Sequence, residues 1–230
     1  MRVIKASSIQ AMRIEDLLQV PVARLQRRFR GREARLRVEA PVIVRLDGVG
    51  FSRLAGRFEA PRDPRVHEAL MHAASVMVER YGILGAHVFS DEINLYMLRD
   101  PLPYGGRVEK LCSIMASIAG SEASLSLAIP LYFDGRVVSL LGACEALEYT
   151  VFRMRVGLGN YARLLAKTSG LSLPEKIKLP GILALLRSHG MNVGIDWRST
   201  GSFLLRTAEG LTRTTLPDVF LESLREACSR

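Results

Sequence analysis

Three carboxylates stand at the ends of short apolar runs, where a sheet would bring them together. Asp47 ends one run, and Asp91 and Glu92 separate two others. If these runs are neighbouring strands, the carboxylates meet at one sheet edge and repel one another unless cations neutralise them. Hard oxygen ligands of this kind suit Mg²⁺, and a pair of such ions can activate an attacking oxygen and stabilise a leaving phosphate. The pattern therefore predicts a two-ion site for phosphoryl transfer.

A glycine-rich turn follows Asp47 directly. Its glycines would let backbone N–H groups point inward together and form a concave site for a triphosphate, over the residues Gly48, Val49, Gly50, Phe51 and Ser52. Arg107 and Lys110, three residues apart on a predicted helix, could supply side-chain charge to the same phosphates. Each feature alone is more typical of an ordinary turn, a solvated hairpin tip or a helix surface. Their occurrence together, and in this order, favours the phosphate-transfer site.

Strand-like runs and helix-spaced stripes alternate along the middle of the chain. Asp63 and Pro64 predict the start of one helix, and Gly82 predicts its end. A second helix is predicted over 104–119, and a hairpin has Ser90–Glu92 at its tip. The predicted strands are 42–46, 86–89, 93–98 and 131–141. The order β-α-β-β-α-β is typical of a ferredoxin-like or polymerase-palm fold, an α+β class with an antiparallel sheet.

Three regions differ in composition and pattern. Residues 1–38 form a basic segment with seven arginines between Arg24 and Arg37, which favours either a nucleic-acid contact or a solvated helix face. Residues 39–142 form the palm-like catalytic core. Residues 143–230 are mostly helical, and we expect this region to pack against the core. Its predicted elements are helices at 143–168 and 174–189 and a small strand near Ser202–Arg206.

The charge balance favours a polyanionic partner. The chain has 230 residues, with 32 Lys and Arg against 23 Asp and Glu, and a formal net charge of +9. Nucleic acid is therefore favoured over a membrane, with a generic basic surface as the alternative. No apolar run approaches the roughly 18–20 residues that a membrane span needs, and the amino terminus lacks the pattern of a secretory signal. We expect a cytoplasmic protein.

Cysteine and amide usage indicate the chemical environment. Cys112, Cys144 and Cys228 are far apart and form no CxxC pair, so we expect reduced core thiols and neither a zinc site nor a disulfide framework. Asn and Gln each occur three times. Because thermolabile amides are depleted in hyperthermophile proteins, we expect a hot-growing source.

Five segments resemble the motifs of one known family. The family stretch IVRxDGRxFHRF is similar to residues 43–54 (IVRLDGVGFSRL), FxKPxD to 58–63 (FEAPRD), and QSDE to 89–92 (FSDE). Its Y-x-x-R-x-x-K helix resembles 104–110 (YGGRVEK), and its FD[GA]R strand resembles 133–137 (FDGRV). In order and spacing the chain resembles the tRNA-histidine guanylyltransferase family, polymerases that add nucleotides in the 3′–5′ direction to tRNA 5′ ends. The resemblance covers roughly residues 38–210.

The resemblance implies a role for each matching residue. Asp47 and Asp91, helped by the backbone carbonyl of Gly48, would hold Mg²⁺, with Glu92 as a supporting acid. The backbone of Gly48–Ser52, the Ser90 hydroxyl, Arg107 and Lys110 would hold the nucleotide triphosphate. The family also implies tRNA as partner, GTP or other nucleoside triphosphates and ATP as substrates, and a homodimer or homotetramer. We expect RNA contacts at Arg27, Arg28, Arg153, Asn160, Lys176, Lys178 and Arg198.

Several family positions differ in this chain. The family's arginine, histidine and lysine are replaced by Val49, Ser52 and Ala60, although Arg62 could supply the charge of the lysine. The acid and histidine of its WRQxDxHxNN segment are replaced by Val156 and Leu158. The resemblance associates these positions with activation and placement of the tRNA 5′ end. We therefore expect weakened ATP-dependent activation and a weakened preference for tRNA-histidine.

The leading interpretation is a template-guided 3′–5′ nucleotidyltransferase, either a guanylyltransferase acting on tRNA-histidine or a 5′-end repair enzyme. A palm-fold nucleotidyl cyclase is disfavoured because Phe89-Ser90 stands where such enzymes have Gly-Gly before the acids. The third alternative is a noncatalytic RNA-binding relative, against which the clustered carboxylates argue. Asp134 also matches a family motif, but we favour a structural role, either pairing with Arg136 or capping a turn.

Overall fold

The computed structural model describes residues 19, 21–30 and 35–229. The chain divides into two units, residues 1–35 and residues 36–230. In the first unit, helix α1 (Val22–Arg30) carries the exposed side chain of Arg27. The side chain of Arg28 and most of the predicted basic segment lie outside the described residues. Within the described ranges, no helix is both long enough and apolar enough to cross a membrane.

One six-stranded sheet forms the centre of the second unit. Its strands are β1 (Val42–Gly48), β2 (Gly85–Phe89), β3 (Glu92–Met97), β4 (Phe133–Ser139), β5 (Ser202–Thr207) and β6 (Gly210–Thr214). They lie in the order β4-β1-β3-β2-β5-β6, and every neighbouring pair is antiparallel. The predicted α+β class with a palm-type core is confirmed, and β5 and β6 extend the sheet by two strands.

Helices cover both faces of this sheet. The helices of this unit are α2 (Phe51–Leu54), α3 (Pro64–Tyr81), α4 (Val108–Leu127), α5 (Ala143–Thr168), α6 (Leu179–Ser188) and α7 (Pro217–Cys228), with 3₁₀ turns at Ala55–Arg57 and Pro103–Gly106. Of these, α6 packs against α5 and not against the sheet. Successive side chains of a strand point to opposite faces. Val44 and Leu46 therefore pack with α3 and α4, whereas Ile43 packs with Ala146 of α5 and Phe220 of α7. The continuous apolar run of β1 follows from its burial on both sides.

The two ends of α3 follow from the residues that predict them. The Asp63 carboxylate accepts a hydrogen bond of 2.8 Å from the Arg65 backbone N–H, and Pro64 occupies the first helical position. Gly82 ends the helix in the left-handed region at φ 60°, and its N–H donates to the Glu79 carbonyl. Glycine adopts that conformation without the steric cost of a side chain. Both predicted ends are confirmed.

Other elements differ from the predicted ones. Helix α4 begins at Val108 and not at 104, because Tyr104 and Gly105 have φ angles of 56° and 60° that a right-handed helix does not allow. It continues to Leu127, beyond the predicted end. Strand β3 already begins at Glu92, so this acid is not part of the hairpin tip. Strand β6 and helix α7 have no counterpart among the predicted elements.

Cys144 and Cys228 form a disulfide, which contradicts the prediction of three reduced thiols. The two residues are 84 positions apart, but their Cα atoms lie 4.7 Å from each other. Cys144 is in the first turn of α5 and Cys228 is the last residue of α7. Because only the packing of these two helices makes the cysteines neighbours, their spacing in the sequence does not reveal the pair. Cys112 on α4 is a free thiol, as predicted.

Candidate active site

The structure brings Asp47, Gly48 and Asp91 together at one edge of the sheet. Asp47 lies near the end of β1, and Asp91 lies in the two-residue turn between β2 and β3. The Gly48 N–H donates to the Asp91 carbonyl oxygen at 2.9 Å. A Cβ atom on Gly48 would lie 3.0 Å from the Asp91 Cβ and 2.3 Å from the Phe51 ring. Glycine is therefore required at position 48 for this close approach of β1 to the turn between β2 and β3.

The carboxyl group of Asp47 carries an unbalanced negative environment. Burial raises its pKa most, and the charges of Asp91 and Asp134 raise it further. Arg45 acts in the opposite direction, with its Nη2 3.5 Å from Asp47 Oδ2. Because the net pKa is still raised, the nearby arginines offset the burial and the repulsion only in part. A cation between Asp47 and Asp91 would relieve the remainder.

Ser90 connects the acidic turn to Arg62. The Ser90 Oγ donates to Asp91 Oδ1 at 2.7 Å and accepts a hydrogen bond from Arg62 Nη1. Burial lowers the pKa of Arg62, whereas the charge of Asp91 raises it. The Arg62 Nε is buried and has no hydrogen-bond partner within the described part of the chain. Arg62 thus places a guanidinium beside Asp91 and in the wall of the neighbouring cleft.

The turn after Asp47 offers fewer amides than the sequence predicts. The Gly48 N–H is bonded to Asp91, and the Val49 N–H donates to the Tyr132 carbonyl at 2.8 Å. The amides of Gly50, Phe51 and Ser52 are the donors left to the turn, where Gly50 has φ 74° and α2 begins at Phe51. These contacts narrow the predicted triphosphate cradle to Gly50–Ser52.

Arg107 and Lys110 stand at the start of α4. Arg107 precedes the helix, its backbone bridges to that of Arg37, and its Nε lies 3.8 Å from Glu109 Oε1. The charges that act on Asp47 come from other residues, Arg45 and Arg136 among them. The contacts of the described residues do not join either cation to the acidic turn. Their predicted contacts with phosphate stay predictions.

Glu92 is buried and paired with arginines, and it lies in β3 instead of at the predicted hairpin tip. Its side chain accepts hydrogen bonds from Arg153 Nε at 2.9 Å and from Asn94 Nδ2 at 2.8 Å, and a second bond from Arg153 Nη2. Arg45 Nε lies 3.3 Å from Glu92 Oε2. Burial raises the pKa of Glu92, and Arg153 and Asn94 lower it.

The position of Arg153 contradicts its predicted role in RNA binding. Its residue surface is 8% exposed, and its guanidinium is engaged with Glu92 beneath α5. A phosphate could therefore reach it only after the buried pair separated. Arg153 instead connects α5 to the sheet through its ion pair with Glu92.

A cleft of about 630 Å³ opens beside the acidic turn, within the size range of small-ligand sites. Ser90, Asp91 and Arg62 line it on one side. Its other walls include Phe51, Ser52, Phe58, Asn160, Arg163, Leu164, Lys167 and Trp197. The cleft brings the predicted residues Phe51, Ser52, Ser90, Asp91 and Asn160 together. Arg163 and Lys167 were not predicted, although their three- and four-residue spacing from Asn160 and from each other is a helix-face signal that could have identified them.

The remaining predicted residues lie at the surface. Lys176, Lys178 and Arg198 are exposed, and their RNA contacts stay predictions. Arg136 Nη2 donates to Asp134 Oδ1 at 2.9 Å, which confirms the structural pairing.

Comparison with known proteins identifies similarities in sequence and in fold. A family model described as "Thg1: tRNAHis guanylyltransferase" matches residues 24–141, more than half of the chain. An uncharacterized protein, R259, of Acanthamoeba polyphaga mimivirus is 27% identical over 117 residues, which cover 45% of this chain and 40% of the viral protein.

Three solved structures share the fold. A bacterial tRNA(His) guanylyltransferase (Thg1)-like protein in complex with ATP has a TM-score of 0.75 and 18% identity, over 90% of this chain and 99% of that chain. A bacterial Thg1-like protein in complex with GTP has a TM-score of 0.73 and 18% identity, over 90% and 96%. The tRNA(His) guanylyltransferase of Saccharomyces cerevisiae has a TM-score of 0.69 and 20% identity, over 84% and 97%.

Proposed function

The chain belongs to the tRNAHis guanylyltransferase family, and on this basis we propose that it is a template-guided 3′–5′ nucleotidyltransferase that adds nucleotides to tRNA 5′ ends. The observation that carries the proposal is the corner formed by Asp47, Gly48 and Asp91 beside a cleft that contains Arg62. A polynucleotide binder without catalytic activity gains nothing from two converging carboxylates beside a phosphate site, since they repel RNA.

The acidic corner fits a divalent cation. The described residues contain no group of three or more His, Cys, Asp and Glu side chains that could enclose a metal. Mg²⁺ is instead commonly held by one or two carboxylates, waters and substrate phosphates, which suits Asp47, Asp91 and the Gly48 carbonyl. The raised pKa of Asp47 supports this assignment. When bound, two Mg²⁺ ions would supply charge neutralisation for phosphoryl transfer.

The chain's own groups would position the reactants. The amides of Gly50–Ser52 and the Ser90 hydroxyl would bind the incoming nucleotide's phosphates, and Arg62 would neutralise charge near Asp91. The 3′-hydroxyl oxygen of that nucleotide attacks the 5′ α-phosphorus of a triphosphorylated RNA end. One P–O bond forms, the bond to pyrophosphate breaks, and the hydroxyl proton passes to solvent.

We propose that 5′-triphosphorylated RNA is the preferred acceptor. A monophosphate must first be activated by ATP, and Ser52, Ala60 and Leu158 remove groups that the family uses there. A triphosphate already carries its leaving group and bypasses that step. We expect a preference of at least about tenfold, equivalent to about 1.4 kcal/mol in barrier height. Cytoplasmic location and a homodimeric or homotetrameric assembly are further parts of the proposal.

The test is addition of labelled nucleotides to 5′-truncated tRNA with Mg²⁺, using triphosphorylated RNA and, in parallel, monophosphorylated RNA with ATP. Asp47→Asn and Asp91→Asn should each reduce addition at least about a hundredfold, because metal stabilisation supplies several kcal/mol. Asp218→Asn is the matched control, because Asp218 is exposed in the first turn of α7 and does not line the cleft, and it should change addition by less than about twofold. Normal addition by either site variant would refute the assignment. Equal rates on the two acceptors would refute the activation argument alone.

A further inference from the structure

Helix α5 presents a polar stripe to the cleft. Asn160, Arg163 and Lys167 all line it, and their three- and four-residue spacings place them on one helix face. All three are exposed. Two cations one turn apart repel each other and weaken an isolated helix by a few tenths of a kcal/mol. An anion between them would reverse that effect.

The stripe continues to a second basic surface outside the cleft. Arg163 Nη2 donates to the Ile177 carbonyl at 3.0 Å, and Ile177 lies between the exposed residues Lys176 and Lys178. One guanidinium therefore contacts the backbone of the segment before α6 while it lines the cleft. Arg163 and Lys167 on the cleft side and Lys176 and Lys178 on the outer side are four cations, and Glu175 is the one acidic residue between Leu171 and Lys178. The net charge of this surface is therefore positive.

Cations both inside the cleft and on the surface next to it suit a polyanion whose terminus enters the cleft. We propose that Arg163 and Lys167 bind the 5′-terminal phosphates of the RNA acceptor and guide them from the Lys176–Lys178 surface toward Asp91. This inference rests on the proposed function, since it assigns the second phosphate-bearing reactant of the same site. The incoming nucleotide is assigned to the opposite side, at Gly50–Ser52 and Ser90.

A structural explanation accounts for part of the pattern. Lys167 stands in the last turn of α5, where a cation interacts favourably with the helix dipole. That explanation does not require Arg163 and Asn160 to face the same cleft. It also predicts that removal of Lys167 alters helix stability and leaves RNA binding unchanged, so the two roles can be separated.

The experiment measures binding without nucleotide, so that no reaction occurs. Fluorescence anisotropy compares a truncated acceptor-stem RNA carrying a 5′-triphosphate with the same RNA carrying a 5′-hydroxyl. Arg163→Gln and Lys167→Gln each remove one charge, and Arg155→Gln, an exposed residue of the same helix outside the cleft, is the matched control. Circular dichroism checks folding, and calorimetry with GTP and Mg²⁺ measures the nucleotide side.

We expect each cleft variant to weaken binding of the triphosphorylated RNA at least about tenfold, as for a charge-assisted hydrogen bond. The slope of log affinity against log salt should fall by about 0.7–0.9 for each lost contact. The 5′-hydroxyl RNA, GTP binding and the Arg155 control should change less than about twofold. Equal losses for both RNAs, or a loss confined to GTP, would overturn the inference. If wild-type protein shows the end-dependent binding but adds no nucleotide, the proposed function fails and the inference stands.

Discussion

Two glycines of α5 allow a sharp test of how this helix is seated on the sheet. A Cβ atom on Gly157 would lie 2.9 Å from the Phe89 ring and 2.9 Å from the Ser199 carbonyl oxygen. A Cβ atom on Gly159 would meet nothing within 4 Å. Because Ser199 contributes backbone and Phe89 is 3% exposed, neither neighbour of Gly157 can move cheaply.

Both substitutions to alanine gain the same helix propensity, about 0.5–1 kcal/mol. Gly159→Ala should therefore raise the free energy of unfolding by about that amount. In Gly157→Ala the added methyl group also overpacks the site, which costs about 1–3 kcal/mol. The Gly157→Ala protein should therefore be less stable than the Gly159→Ala protein by about that amount. Urea denaturation at pH 7 measures both. Because Phe89 immediately precedes Ser90, Gly157→Ala should also slow nucleotide addition. Equal stability of the two variants would refute the close seating of α5.

Two further predictions concern single contacts. Asp63→Ala should destabilise the protein by about 1–2 kcal/mol through loss of the α3 N-cap. Hydrogen bonding from Arg65 holds the pKa of Asp63 well below its usual range, so the difference in stability should shrink as pH falls below about 4. Urea titrations at several pH values measure this. Reduction of Cys144–Cys228 should cost about 2–4 kcal/mol, and thiol titration of the denatured protein should rise from one group, Cys112, to three. An unchanged urea midpoint after reduction would contradict the cross-link.

The features that the sequence predicts correctly depend on neighbours along the chain. The ends of α3 need only Asp63, Pro64 and Gly82, and the meeting of Asp47 with Asp91 follows from a hairpin that pairs with β1. In the ladder between β1 and β3, Asp47 lies opposite Glu92, the residue after Asp91. The strand register therefore places Asp47 next to the turn that contains Asp91. The carboxylates were therefore identifiable before any three-dimensional information.

The features that the sequence does not reveal depend on distant partners. Glu92 differs from Asp91 in that its side chain turns toward α5, where Arg153 lies 61 positions away along the chain. A charged residue is predicted to be exposed unless its buried partner is known. The same reasoning applies to Cys144 and Cys228, whose contact depends on how α5 packs on α7.

The buried pair between Arg153 and Glu92 fixes the helix that carries the cleft stripe. Arg153→Met would leave the buried Glu92 carboxylate with Asn94 and, at 3.3 Å, Arg45. Breaking a buried pair costs about 3–5 kcal/mol, and the low end applies because Arg45 remains. Burial already raises the pKa of Glu92, and loss of Arg153 should raise it further, so a proton can replace the missing partner. An acid with a raised folded-state pKa destabilises the fold increasingly as pH rises from its unfolded-state pKa to its folded-state pKa. The deficit should therefore shrink as pH falls from 7 to 5.

The double variant Arg153→Met/Glu92→Gln removes the stranded charge and should be more stable at pH 7 than Arg153→Met alone. Arg155→Met, exposed on the same helix, controls for the substitution itself and should change stability by less than about 0.5 kcal/mol. A cost below about 1 kcal/mol for Arg153→Met, equal at both pH values, would contradict the buried pair. Asn160 lies two turns beyond Arg153 on nearly the same helix face. The buried pair between Arg153 and Glu92 therefore fixes how α5 is rotated against the sheet. This rotation turns the polar stripe of Asn160, Arg163 and Lys167 toward the cleft.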